Sequence, residues 1–296
     1  LFIDDEADFA SVNTKAHRDD ITATNKYIRQ IIGLFNRSTY VAYTATPFAN
    51  IFINPETSDE MYGDDLFPND FMIRVPVPSN YLGQNFYFEN QDYEAINPVV
   101  IINDNENMIP VKHNTLTKVG PLSESMKDSI RAFIISCSLR DSRGDKDKHK
   151  TMMVNITHLN ALQIQLTPLI EDYLKELKNS IENVIGYSVD EALANSTVKN
   201  LQETFSSKFD VEETFEDVLK NVRKAINKIK VYGINTQSKQ VLDYSLYPDG
   251  LSAIVIGGHK LSRGLTLEGL SISYFARNSK AYDTLMQMCR WFGYRP

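Results

Sequence analysis

The residues able to do chemistry fall at four places along the chain. Asp4-Asp5-Glu6-Ala7-Asp8 follows directly on the apolar run Leu1-Phe2-Ile3. A strand that ends in carboxylates presents them at the carboxyl edge of a sheet, where the ligands of open α/β folds bind. Phosphoryl transfer needs such a pair, one carboxylate holding the Mg²⁺ that bridges phosphate oxygens and the next orienting or deprotonating the attacking water. The same acids would also suit a helix N-terminus, where negative charge favours the macrodipole. Thr44-Ala45-Thr46-Pro47 closes the next apolar run, so its hydroxyls either face the same edge or simply end a strand. Gly257-Gly258-His259-Lys260-Leu261-Ser262-Arg263-Gly264-Leu265-Thr266 follows a third apolar run. Its glycines let backbone amides approach an anion closely, and Lys260 and Arg263 supply charge. It is not a phosphate-cradling P-loop, which needs Gly-x-x-x-x-Gly-Lys-Ser/Thr. Finally, Gln287-Met288-Cys289-Arg290-Trp291-Phe292-Gly293-Tyr294-Arg295 places two arginines at the end of an amphipathic pattern. Arginines there either stabilise charge on a transferring phosphate or cap the helix.

The elements that must position these residues alternate between strand and helix. Apolar residues at Ile21, Ile28, Ile31, Ile32 and Phe35 predict a helix within Asp19 to Phe35, and Tyr40 to Tyr43 reads as a buried strand stopped by Pro47. Leu1 to Ile3 likewise reads as a buried strand. From Pro55 to Pro121 the pattern loosens, with Val99 to Ile102 as the one strand in it. Ser123 to Leu139 predicts a helix with Ser123 as its cap, and Asp141 to Lys150 a solvated loop with seven charged residues in ten. A second alternation follows: Met152 to Ile156 as strand, Leu159 to Leu177, Asp190 to Phe205 and Glu212 to Ile229 as helices, then Val231 to Ile234, Leu251 to Ile256 and Leu270 to Phe275 as strands. Tyr282 to Phe292 closes the series as a helix. Strands alternating with helices point to an α/β fold with parallel sheets flanked by helices.

Composition bounds what such a chain does. Its 296 residues suggest about two domains, and 42% hydrophobic content supports buried cores. The net charge of −7 excludes a polycation that wraps duplex DNA, so any nucleic-acid contact is local. With only Cys137 and Cys289, neither a disulfide framework nor a cysteine-ligated zinc site is expected, and a reducing, cytoplasmic setting fits best. No apolar run approaches the roughly 18 residues of a membrane span, and a membrane partner is not expected. The ends of the sequence, Leu1 inside a strand and Pro296 inside a loop, suggest a piece of a longer protein.

Taken in order, strand plus Asp5-Glu6-Ala7-Asp8, strand plus Thr44-Ala45-Thr46, strand plus Arg263-Gly264, and then Gln287 with Arg290 and Arg295 resemble motifs II, III, V and VI of superfamily 2 helicases. The wording from Leu261 to Leu270, together with Gln287 to Arg295, is similar more narrowly to the endonuclease Z1 domain family, whose proteins resemble helicase-type ATPases and are associated with bacterial restriction or defence systems. The resemblance implies two RecA-like domains with ATP and Mg²⁺ in the cleft between them. Residues 1–122 would be the C-terminal part of the first, with an insertion at about 55–110, and 123–296 the second, cut short at its C-terminus. It implies further that Asp5 carries the Mg²⁺ and Glu6 activates water. Asp8, Thr44 and Thr46 would couple the nucleotide to the nucleic acid, and Arg263 and Gly264 would face the cleft. Gln287, Arg290 and Arg295 would contact phosphates from across it. Thr157, His158, Lys260 and Ser262 would meet a nucleic-acid backbone, with DNA the expected partner beside other components of the defence system.

The sequence departs from the helicase pattern in three respects. Arg263-Gly264 is followed by Leu265-Thr266 rather than by x-Asp, the spacing from Gln287 to Arg290 to Arg295 differs from the usual motif, and Cys289 stands where glycine is common. Motif I is absent, so the phosphate anchor is expected on an upstream P-loop segment of the same protein, and residues 1–296 alone are not expected to hydrolyse ATP. No nuclease constellation accompanies these motifs: Pro248-Asp249 has no Asp/Glu-x-Lys after it, and His17, His113, His149, His158 and His259 are scattered. The alternative from a different class is a non-catalytic nucleotide-sensing or scaffold module of a nuclease complex.

Overall fold

The computed structural model describes the chain except for residues 16–19, 84, 90–97, 235–240, 259–260, 262–264, 278–284, 286–287, 289, 291–292 and 295–296. It divides into two compact units, Leu1–Pro78 and Ser79–Pro296. No described helix is long and apolar enough to cross a membrane.

The first unit runs β1 (Phe2–Asp5), α1 (Ala23–Gly33), β2 (Tyr40–Tyr43), α2 (Phe48–Ile51), β3 (Ser58–Asp59) and β4 (Gly63–Asp64). Strands β1 and β2 pair in parallel from Phe2 opposite Tyr40 to Asp5 opposite Tyr43. Both were expected to be buried, and they are not: Ile3 is 60% exposed and Tyr43 53%. Among the described residues the pair forms a sheet of two strands, too narrow to be covered on both faces as parallel strands usually are.

The second unit holds β5 (Tyr81–Leu82), α3 (Glu124–Ser142), β6 (Lys150–Asn155), α4 (Asn160–Glu182), α5 (Val189–Ala192), α6 (Ser196–Lys208), α7 (Phe215–Lys228), β7 (Ile229–Ile234), β8 (Ser252–Gly257), β9 (Leu270–Phe275) and β10 (Gly293–Tyr294). Helix starts follow their caps. Ser123 accepts from the Met126 amide, Asn195 from those of Thr197 and Val198, and Thr214 forms a reciprocal pair with Asp217. Four strands make one parallel sheet in the order β7, β8, β6, β9.

Alternation along the strands builds two cores. Met152, Val154, Ile254, Ile256 and Tyr274 pack with Phe133 of α3, Leu162 and Leu166 of α4, Leu201 of α6 and Val222 of α7. Met153, Ala253 and Val255 face the other way, against Leu242, Tyr244, Leu261 and Leu267. The sheet is thus a mixed α/β layer, with helices α3, α4, α6 and α7 on one face and, among the described residues, Leu242, Tyr244, Leu251, Leu261 and Leu267 on the other.

Three expectations from sequence fail here. The helix expected from Asp190 to Phe205 breaks into α5 and α6, because Asn195 caps a new helix start. Val99 to Ile102 forms no strand, and Ile101 is 92% exposed. A β-branched run becomes a strand only where a neighbour accepts its ladder bonds. The charged segment 141–150 is not simply solvated either. Asp141 belongs to α3, Lys150 opens β6, and the two form an ion pair at 2.7 Å with Lys150 1% exposed. Asp145 and Lys148 carbonyls take the other ammonium protons. The expected helix from Tyr282 to Phe292 lies mostly outside the described residues.

Removing one partner of a buried pair strands the other charge, at a cost of about 3–5 kcal/mol. Asp141→Ala should therefore lower stability by that amount in urea unfolding. The double replacement Asp141→Leu with Lys150→Met should recover most of it; equal losses in both variants would show that the charge is not what matters.

Candidate functional site

Parallel pairing brings the carboxyl ends of β1 and β2 to one edge, and the loops beyond them are tied together by side chains. The Ala7 amide donates to the Tyr43 carbonyl at 3.1 Å, extending the ladder past Asp5. Thr44 Oγ1 donates to Asp8 Oδ1 at 2.8 Å and Thr46 Oγ1 to Asp8 Oδ2 at 2.9 Å, while the Thr46 amide donates back to Thr44 Oγ1 at 3.0 Å. Asn50, buried at the end of α2, donates to the Ala7 carbonyl at 3.1 Å. The structure therefore joins Asp8, Thr44 and Thr46 directly.

The acids at this edge are not equivalent. Tyr40 donates to Asp4 at 2.5 Å, and burial together with that carboxylate pushes the phenol well above its ordinary pKa. Asp4 is occupied in holding β1 to β2. Asp5 and Glu6 are exposed, with Asp5 Oδ1 accepting from the Glu6 amide at 3.0 Å. Glu6 has φ +54° and Arg290 φ +51°; these are the non-glycine residues with positive φ among those described.

In the second unit the candidate edge lies at the carboxyl ends of β6 and β8. The chain leaving β6 enters α4 on the helical face of the sheet, whereas the chain leaving β8 places Leu261 and Leu267 on the opposite face. In open α/β sheets, ligands bind where adjacent strands send their continuations to opposite faces. Thr157, buried at 2% exposure, and the exposed His158 follow β6, and the Gly257-Gly258 turn after β8 packs against their backbone.

Sequence reasoning missed several groups here. Asn155, at the last position of β6, is 0% exposed, and neither amide atom has a hydrogen-bond partner. Gln163 Nε2 donates to the Thr157 carbonyl at 2.8 Å, leaving Oε1 without a partner. His113 Nε2 lies 2.8 Å from Thr157 Oγ1 and its Nδ1 2.7 Å from the Pro110 carbonyl. Arg277 follows β9, whose end is held to β6 by the Ala276 amide donating to the Asn155 carbonyl at 3.2 Å. A polar Asn ending an apolar strand was a usable signal; nothing local to His113 marks it. The imidazole of His158 sits below the ordinary histidine pKa, first because of burial and then because of Arg277 and His113.

Arg290 donates from Nε to the Leu261 carbonyl at 2.5 Å, so it is anchored to the segment that follows the two glycines. Lys260, Ser262, Arg263, Gly264, Gln287 and Arg295 lie outside the described residues. The Leu261 amide donates to the Gly258 carbonyl at 3.1 Å, which fixes the turn to which Arg290 is tied.

A family model for the Z1 domain matches residues 125–296, from the first turn of α3 through the whole parallel sheet to the end of the sequence. The chain belongs to the Z1 domain family. Neither the comparison with curated proteins nor that with solved structures gives a match. Within the Z1 region fall Thr157, His158, the Gly257-Gly258 turn and Arg290, whereas Asp5, Glu6, Asp8, Thr44 and Thr46 lie ahead of it.

The turn after β8 in this Z1 protein depends on the missing side chain at Gly258. A Cβ there would stand 2.9 Å from Gln163 Nε2, 3.0 Å from His158 Cα and 3.1 Å from the Thr157 carbonyl. Two of these are backbone atoms, so the clash is not relieved by a rotamer change. Gly258→Ala should cost about 1–3 kcal/mol in thermal unfolding and displace the Thr157 turn, seen as loss of protection of the Leu159 amide in hydrogen exchange; unchanged protection would mean the two turns are not in contact.

Proposed function

We propose that this Z1 protein is the motor core of an ATP-dependent, DNA helicase- or translocase-like enzyme of a bacterial restriction or defence system, with residues 1–122 and 123–296 belonging to two RecA-like domains. Membership of the Z1 family supports an endonuclease-related defence protein. The observation that carries the motor reading is the clamp of Thr44 and Thr46 on Asp8 beside exposed Asp5 and Glu6. Such a clamp joins the acidic loop to the next strand's loop, as a nucleotide site that must pass on its state requires.

Mg²⁺ takes one or two carboxylates and fills the rest of its shell with phosphate oxygens and water. The exposed Asp5 carboxylate fits that donor set, because one of its oxygens is fixed by the Glu6 amide and the side chain faces solvent. When bound with ATP, the ion would neutralise phosphate charge. Asp5 then holds the ion, and Glu6, set in the left-handed region immediately beside it, orients or deprotonates water. Asp8, Thr44 and Thr46 pass movement of the acidic loop to α2 through Asn50. In the same reading Thr157 and His158, with Lys260 and Ser262, hold a DNA backbone, and Arg263, Gly264, Gln287, Arg290 and Arg295 serve the nucleotide phosphates. An upstream P-loop segment of the same protein anchors those phosphates.

The test is DNA-stimulated ATPase activity of the full-length protein. Glu6→Gln should reduce kcat by about 10²–10⁴ and leave ATP binding intact, whereas Glu6→Gly should lose activity equally while gaining about 1 kcal/mol of stability by relieving the positive φ. Turnover insensitive to Glu6→Gln would remove the motor reading, and binding of ATP without DNA-stimulated turnover in the wild type would favour a nucleotide-sensing scaffold.

A further inference from the structure

We infer that the turn after β6 is a proton-linked binding site for a phosphate ester, built from Thr157, His158 and Arg277 with His113 as the positioning residue; it rests on the nucleic-acid contact proposed above for Thr157 and His158. The hydrogen bonds of His113 fix its tautomer. A carbonyl only accepts, so Nδ1, facing the Pro110 carbonyl at 2.7 Å, carries the proton. In the neutral ring Nε2 must then accept from the Thr157 hydroxyl at 2.8 Å. Thr157 Oγ1 itself accepts from the Leu159 amide at 3.1 Å. Protonating His113 reverses a single bond. Nε2 becomes the donor, the Thr157 hydroxyl proton is released to a new acceptor, and the contacts to Pro110 and Leu159 are kept.

Charge at the turn points the same way. His113 comes from the segment before α3, His158 from the turn between β6 and α4, and Arg277 from the end of β9; Lys112 precedes His113 in the chain. Among the described residues Arg277 and His113 act electrostatically on His158, and both oppose its protonation. An anion placed beside His158 relieves that repulsion and raises the His158 imidazole pKa. The complex then binds more protons than the free protein. Affinity is therefore greatest at low pH and is lost as pH rises through the raised pKa of the complex.

An independent observation comes from the interior of the same turn. Gln163 is 2% exposed and bonded to the Thr157 carbonyl, yet its Oε1 has no partner, and both amide atoms of Asn155 are unpartnered at 0% exposure. Buried polar atoms are nearly always satisfied in folded proteins. Their concentration beside Thr157 marks a place where a polar ligand and its water complete the hydrogen bonding.

Phosphate esters reach the site either as a nucleic-acid backbone or as a free nucleotide, and two probes separate them: fluorescein-labelled single-stranded oligothymidylate and ATP as a competitor. With the full-length protein, oligonucleotide affinity should rise about tenfold from about pH 8 to about pH 6, the change that a one-unit shift of one imidazole produces. His113→Gln, which keeps a hydrogen-bonding group for Thr157 but no charge, and His158→Gln should each flatten that ratio to about threefold or less, with unfolding midpoints unchanged. Oligonucleotide binding whose pH ratio survives both substitutions overturns this inference and leaves the proposed function standing. A histidine-dependent ratio for ATP but not for the oligonucleotide supports the phosphate site and overturns the nucleic-acid contact. Binding of neither probe at either pH overturns both.

Discussion

Strand β6 is the constraint on which the second unit depends. It pairs in parallel with β8 on one side and β9 on the other, and Met152, Met153 and Val154 are all fully buried. Each such side chain contributes about 1.5–3 kcal/mol by leaving water, and the alternation assigns each to one face. A slip of one residue would exchange the two sets and drag Lys150 away from Asp141. After desolvation the ion pair adds little net stability. What it does is penalise every register that places the ammonium group against apolar atoms. The amino end of the strand is thereby pinned, and with it the position of Asn155, Thr157 and His158 at the carboxyl end.

The first unit positions its edge by different means. Its two-stranded sheet leaves Ile3 and Tyr43 largely exposed, so packing alone does not hold the acidic loop. Side-chain hydrogen bonds do that work: Tyr40 to Asp4 across the strands, Thr44 and Thr46 to Asp8 across the loops, and Asn50 to the Ala7 carbonyl. Polar bonds of this kind contribute about 1 kcal/mol each, less than a buried core.

Much of this was legible in sequence wherever the signal is local. The apolar runs that became β2, β6, β8 and β9 and the periodic segments that became α3 and α4 carry their own pattern, and Ser123 announces its helix. Strandedness at Val99 to Ile102 was not decidable locally, because the missing ingredient is a partner. Lys150 and Asp141 were misread for a related reason: dense charge looks solvated unless one knows that α3 and β6 converge. The acidic and threonine clusters could be placed at one edge because each directly follows its strand. His113 could not, since its bond to Thr157 spans a separation of 44 residues that no periodicity encodes.

Backbone conformation adds a line of argument that side-chain chemistry does not. Glu6 and Arg290 were singled out for what a carboxylate and a guanidinium can do to a phosphate, without reference to φ. Both adopt the left-handed region that costs a non-glycine residue roughly 1–2 kcal/mol. Neither is Asn or Asp, the residues that tolerate it best. In each case glycine would be more stable, so stability alone does not account for the side chain. The local bonds explain how the conformation is held: the Phe9 amide donates to the Glu6 carbonyl at 3.0 Å, and Arg290 Nε is fixed to the Leu261 carbonyl. Under the proposed function, that conformational cost is what aiming a carboxylate and a guanidinium at a phosphate would require.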